Sequence, residues 1–305
     1  LNICGDQARD DAKAVEAELA NGNYKGPMHG IPYGLKDIID YAGLKTTAHS
    51  KLLEDNVADT DATTTAKLKA TGGIFVGKLA THEFAIGGPS FDLPWPPARN
   101  PWNTNRHPGG SSSGSGAAVA AGLLPGALGS DTGGSVRHPA SMCNLAGIKP
   151  TYGRVSRAGV VPLSFSLDNV GPLTRTVEDN AIMLTAISGH DPRDPASARA
   201  EATDFTADLD KGVKGMKIGL VRHFYETDLK AQAEMAASID AAAETLRELG
   251  ATVEEVEMSP LSEYAAVNRV ILLSEAFAIH EKWLQERPGD YAHFTRERLM
   301  PGAFI

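Results

Sequence analysis

Residues 108–135 read PGGSSSGSGAAVAAGLLPGALGSDTGGS, and both the fold and the chemistry of the chain turn on them. Gly109-Gly110 and Gly133-Gly134 permit backbone shapes that a Cβ disfavours, and each pair delivers a serine, Ser111 or Ser135. Taken alone, GGSSSGSG matches a flexible linker. The chain continues as GAAVAAGLL, however, an Ala/Val/Leu run that calls for burial, so the loop enters a core. Two constrained turns, each presenting a hydroxyl, point to a nucleophile with backbone N–H groups placed to hold an oxyanion.

Upstream, residues 6–20 carry Ala8, Ala12, Val15 and Leu19 at helical spacing, with Gly22 just past the end. Residues 31–35 read as a short strand, and then Lys36-Asp37 interrupt an apolar run that resumes at Ile38-Ile39. An unpaired ammonium in such a run is costly, so Lys36 is a strand-end surface residue, the partner of Asp37 or Asp40, or a functional group. A helix is expected over 61–70 and a buried strand over 73–79. Residues 87–108 form a long Pro- and Trp-containing segment, and loops of that length in a compact domain are usually functional. Phe91, Leu93 and Trp95 are its candidates for a substrate pocket, with Trp102 beside them.

Downstream, residues 147–179 are rich in Gly and Pro and read as extended and loop-like. Thr176 followed by Asp179 resembles a capping box opening an apolar helix to Ile187. Residues 190–212 look like a connection. Strand 216–221, helix 229–249 and strand 251–258 make a βαβ unit with a parallel strand pair, and a last helix covers 264–286. The expected fold class is α/β, with a mixed, largely parallel sheet covered on both faces by helices.

The chain has 305 residues, 42% hydrophobic and 22% charged, which fits a globular protein and not a disordered one. A net charge of −9 without a Lys/Arg cluster disfavours direct nucleic-acid binding. Cys4 and Cys143 are the two cysteines, too few and too far apart for a disulfide scaffold; they fit a reducing, cytoplasmic setting. No apolar run approaches the length of a membrane span. The nine histidines are scattered with no HExxH motif, so no metal site is expected.

A serine hydroxyl needs a base, and Ser–Lys is a known alternative to Ser–His–Asp. Lysine can serve if burial lowers its pKa by roughly 3, at a cost on the order of 4 kcal/mol. Lys36 sits where that can happen. Ser111 can relay a proton, since a hydroxyl both donates and accepts. The N–H groups of Thr132, Gly133, Gly134 and Ser135 are candidates for the oxyanion hole. The competing reading, a Gly/Ser loop cradling an anion, lacks GxxxxGK[ST] and has one basic residue, Arg106, close before the first loop.

GLKDIID, PGGSSSGSGAAVAAG, GSDTGGSVRHPASMCNLAGIKPTYGRVS and LDNVGPLTRTVED together resemble the amidase signature family of serine hydrolases, over nearly the whole chain. The resemblance implies a Ser–cis-Ser–Lys triad: Ser135 the acyl-forming nucleophile, Ser111 the relay on a cis peptide, Lys36 the base. Asp131 and Arg137 would order the nucleophile loop, and Ser112 would support the lysine. It implies a single domain over 1–305, incomplete at both ends and lacking its C-terminal part. It also implies an amidase acting on a small-molecule amide, with no cofactor, and a homodimer is compatible. Residues 149–179 are also similar to the amidase subunit of tRNA-dependent amidotransferases, whereas the aromatic loop 91–102 (FDLPWPPARNPW) favours a hydrophobic acyl or aryl amide. One departure stands out: many members read GGSSGGS where this chain has GGSSSGSG, with Ser113 in place of glycine.

Overall fold

In the computed structural model, which describes residues 1–201 and 203–305, the chain groups into two compact units where the sequence reading has one. The larger comprises residues 1–206 and 272–305. Its elements in order are β1 (Asn2–Ile3), α1 (Gly5–Ala20), β2 (Pro32–Lys36), α2 (Thr63–Ala70), β3 (Ile74–Leu79), α3 (Ser113–Ala120), β4 (Gly126–Asp131), α4 (Arg137–Cys143), β5 (Ala146–Gly147), β6 (Asn169–Thr174) and α5 (Val177–Ile187). They build a six-stranded sheet ordered β1-β3-β2-β4-β6-β5. The central strands run parallel, β2 against β3 on one side and β4 on the other, while β1, β5 and β6 join antiparallel. The expected mixed α/β architecture is therefore present.

β4 and β6 bury every residue, and since successive side chains point to opposite faces, both faces of the sheet are covered at its centre. Tyr33, Leu35, Ile38, Phe75, Leu128 and Ile187 form the heart of the core. α3 packs on β4, β2 and β3, which explains its Gly/Ala composition: small residues let a helix approach a sheet closely. At Gly114 the approach is tightest, because a Cβ there would stand 2.4 Å from the Ala80 nitrogen.

The parallel core aims three chain segments in one direction. β2 ends at Lys36, β3 at Leu79 just before Thr81-His82, and β4 at Asp131 just before Thr132–Ser135. The carboxyl ends of parallel strands are where open α/β sheets place their sites.

Residues 147–179 hold more order than their composition suggests. β6 lies inside this stretch, and Pro172, which has no N–H to give a ladder, sits opposite Leu128 with its carbonyl accepting from Asn180 Nδ2 at 3.2 Å. Thr176 caps α5 as expected, accepting from the Asp179 N–H at 3.0 Å and donating its hydroxyl to the Asp179 carboxylate at 2.7 Å.

The smaller unit, residues 207–271, contains β7 (Lys217–Leu220), α6 (Ala233–Glu248) and β8 (Thr252–Glu255). β7 and β8 pair in parallel, as the βαβ pattern requires, but as a two-stranded sheet of their own. α6 starts at Ala233 and not at 229, because residues 224–228 form a separate turn that ends on an extended Leu229 (φ −138°, ψ 90°). α7 (Leu261–Glu286) begins in this unit and belongs to the larger one from Leu272; α8 (His293–Leu299) follows. Among the described residues no helix is long and apolar enough to cross a membrane.

Candidate active site

Lys36 is fully buried at the end of β2. Its Nζ donates to Ser111 Oγ at 2.7 Å and to Ser130 Oγ at 2.8 Å. Burial pushes its pKa down to about 7, against the opposing charges of Asp168 and Asp131. Half of such amines are neutral near pH 7, where an ordinary lysine would almost always be charged.

Lys36 makes no pair with Asp37 or Asp40. Asp37 instead faces Lys78, an equally buried lysine of β3, at 3.4 Å. Lys78 Nζ also donates to the Ile39 carbonyl and to Thr46 Oγ1 (2.9 Å), while Asp37 Oδ2 accepts from the N–H and hydroxyl of Thr47 at 3.1 and 2.5 Å. The strand pattern over 73–79 hid this lysine within an apolar run. Lys78→Ala should cost about 3–5 kcal/mol in urea unfolding, because it strands the Asp37 charge in the core. A loss below 1 kcal/mol would contradict the pairing.

Ser111 is buried, and the Gly110–Ser111 bond is cis. Its carbonyl accepts from the His82 N–H and from Thr81 Oγ1, both at 3.0 Å. Gly110 is required here, since a Cβ would sit 2.1 Å from the His82 ring. Burial, with the nearby His107 and Lys36 charges, holds His82 down at about 3, so this imidazole stays neutral.

The Ser112 N–H donates to the Ser135 carbonyl at 3.3 Å, which sets the two serine turns side by side. Ser135 itself is half-buried. Ser112 does not reach the lysine: its hydroxyl exchanges hydrogen bonds with the Ser130 backbone N–H and carbonyl, both at 3.2 Å. Ser130 takes the supporting place instead. Sequence reading passes over it because GALGSD is poor in strand-forming residues, although β4 points the residue straight at Lys36.

Asp131 is buried and orders the loop as expected. It accepts the N–H groups of Gly134 (2.8 Å), Val136 (3.1 Å) and Arg137 (3.2 Å), and the Arg137 side chain binds it in a fork at 3.0 and 2.8 Å. Burial alone would raise the Asp131 pKa, but the guanidinium and these N–H donors outweigh it and hold the carboxyl below its usual range. One expectation is corrected here. The Gly134 N–H donates to Asp131 at 2.8 Å, so of the four amides expected for an oxyanion this one is already engaged. Thr132 gives its hydroxyl to Asp168 at 2.6 Å.

The residues expected to wall a pocket do not line the cavity nearest Lys36. A cavity of about 200 Å³ opens beside Ser130, walled by Ile38, Val161, Leu163, Phe165 and Asp168. Phe91, Leu93 and Trp95 line a different cleft, of about 260 Å³, made only of loop residues between Phe91 and Arg99. Phe91 is 77% exposed. Trp95 is tied to the site indirectly: His49 donates Nε2–H to the Trp95 carbonyl (3.0 Å) and accepts the Thr81 N–H at Nδ1 (3.4 Å). Among the described residues no group of three or more His, Cys, Asp or Glu is placed to hold a metal.

At the ends of its parallel strands the mixed α/β sheet thus gathers a buried lysine, the serine hydroxyl it binds and a glycine-flanked serine. A family model described as Amidase matches residues 1–299, and the chain belongs to that family. A glutamyl-tRNA(Gln) amidotransferase subunit of Anaeromyxobacter dehalogenans (strain 2CP-C) is 46% identical over 87% of this chain and 53% of its own length. A solved structure described as an unexpected vestigial protein complex that reveals the evolutionary origins of an s-triazine catabolic enzyme has a TM-score of 0.93 and 37% identity, covering 100% of this chain and 65% of that one. A bacterial aryl acylamidase of the amidase signature family has a TM-score of 0.86 and 30% identity, again over 100% and 65%. The chain thus spans about half to two thirds of the length of these proteins.

Proposed function

We propose that the protein hydrolyses a carboxylic amide through an acyl-enzyme on Ser135. The observation that carries this reading is the buried Lys36 amine, 2.7 Å from the Ser111 hydroxyl and poised near pH 7. Neutral Lys36 takes the Ser111 proton as Ser111 takes that of Ser135, and Ser135 Oγ attacks the amide carbon. The N–H groups of Thr132, Gly133 and Ser135 hold the oxyanion. On collapse the C–N bond breaks and the proton returns through Ser111 to the leaving amine or ammonia. Water then repeats the sequence and releases the acid, with no cofactor needed.

The test is a panel of amides followed by chromatography for acid and ammonia, with intact-mass trapping of the acylated chain. An acyl adduct located on Ser135 supports the reading; turnover that survives loss of the Ser135 hydroxyl sinks it.

A second reading is favoured by the relatives named as amidotransferase subunits: the same machinery would release ammonia from glutamine for a partner. The aromatic loop no longer argues against this, since its residues wall a cleft apart from Ser130. Ammonia from glutamine only when cognate subunits are added would select this reading. Release from simple or aryl amides by the chain alone would select free hydrolysis.

A further inference from the structure

Asp168 precedes β6 and faces the cavity together with Ser130, the residue that also binds Lys36. Its two oxygens reach two different parts of the site. Oδ1 accepts the Thr132 hydroxyl at 2.6 Å, in the loop that leads to Ser135. Oδ2 accepts the N–H groups of Leu163 (2.8 Å) and Ser164 (3.0 Å), in the wall of the cavity. The register explains the reach, since Asp131 pairs with Asn169 and so Thr132 comes to lie across from Asp168. A second carboxylate locks the same wall from outside: Glu275 of α7 accepts the Ser166 N–H at 3.0 Å and the hydroxyls of Ser164 and Ser166.

We propose that Asp168 is a positioning residue for the reaction: it ties the nucleophile loop to the cavity wall and sets its carboxylate in the same cavity as the Lys36–Ser130 pair. This rests on the amide-hydrolysis reading above. The electrostatics agree in direction, because Asp168 is the leading charge that holds the proton on Lys36, ahead of Asp131. Other charged groups facing this cluster include Arg137, which neutralises Asp131; Arg157, whose charge acts on Asp168 while it pairs with Asp194; and Arg193, which lines the same cavity and pairs with Asp191 at 3.7 Å. His82 lies near Lys36 and is held neutral.

The two roles separate by substitution. Asn at 168 can turn its carbonyl to the Leu163 and Ser164 N–H groups and its NH2 to the Thr132 hydroxyl, so Asp168→Asn keeps the ties and deletes the charge. Thr132→Val does the reverse. The readout is the rate at which a fluorophosphonate probe labels Ser135 as a function of pH, which needs no knowledge of the natural substrate. The serine oxygen forms a bond to phosphorus, fluoride leaves, and the serine proton passes through Ser111 to Lys36.

Asp168→Asn is expected to move the acid limb of the labelling profile to lower pH by on the order of one unit, since the charge that favours protonated Lys36 is gone. Thr132→Val is expected to leave the limb in place and lower the plateau roughly 10- to 100-fold through misplacement of the loop. Asp168→Ala should show both effects. An unmoved limb in Asp168→Asn, with circular dichroism and melting as in the parent, overturns the charge role; an unchanged plateau in Thr132→Val overturns the tie. Either result leaves the amide-hydrolysis reading intact, whereas undiminished labelling in Ser135→Ala would remove the reading itself.

Discussion

Ser135→Ala should lower amide turnover by about 10⁴- to 10⁶-fold while the fold stays intact. The size of the effect follows from the absence of a substitute nucleophile beside the relay. Ser111 Oγ is held by buried Lys36, and the Ser112 hydroxyl exchanges bonds with the Ser130 backbone, so neither is free to attack in its place. What survives is binding and oxyanion stabilisation, which alone give modest acceleration over water. The fold is expected to hold because the Ser135 contact that organises the site is made by its carbonyl, which accepts from the Ser112 N–H, and alanine keeps it. Measurement of kcat at saturating substrate, with melting temperature as a control, checks both halves. A fall of less than tenfold would mean that another group carries the chemistry.

Lys36→Met should abolish turnover to a similar degree and, in addition, change how stability depends on pH. In the native protein the lysine titrates near 7, and in the unfolded chain near 10.5. Between those values the unfolded state binds more protons, so unfolding free energy rises with pH across that window. Below about 7 both states are protonated and the burial penalty, on the order of 5 kcal/mol, is fully present. Above 10.5 it is gone. Methionine removes this titration, so the parent should gain stability relative to the variant as pH rises from 7 to 10, by up to about 5 kcal/mol. Two hydroxyls, Ser111 and Ser130, lose a partner in the variant, which sets a pH-independent cost of about 1–3 kcal/mol each. Urea midpoints at several pH values separate the two contributions. The same titration predicts that parent turnover climbs with pH through about 7 and then levels; a profile flat from pH 5 to 9 would exclude Lys36 as the base.

Much of this was legible in the chain. Glycine pairs before Ser111 and Ser135, and a lysine breaking an apolar run at 36, mark residue types whose local backbone and solvation demands are visible without a fold. The capping pair Thr176–Asp179 and the βαβ pattern of the smaller unit were equally readable, since hydrogen bonds within one turn and hydrophobic period depend on neighbours in sequence. β6 was not: a strand carrying Gly171 and Pro172 looks like loop until β4 and β5 supply the ladder on either side.

By itself, then, the order of residues determined which groups could act and the mixed α/β frame that would hold them, because propensity, period and turn chemistry are local. Only tertiary structure decided that Ser130, and not Ser112, shares the lysine, that Lys78 takes Asp37, that Gly134 gives its N–H to Asp131, and that the cavity beside Ser130 is walled by residues near 160–168 and not by the aromatic loop. Apart from the local Asp131–Gly134 turn, these choices are competitions among donors and acceptors far apart in the chain. Strand register brings them within about 3 Å, and no sequence spacing expresses that distance.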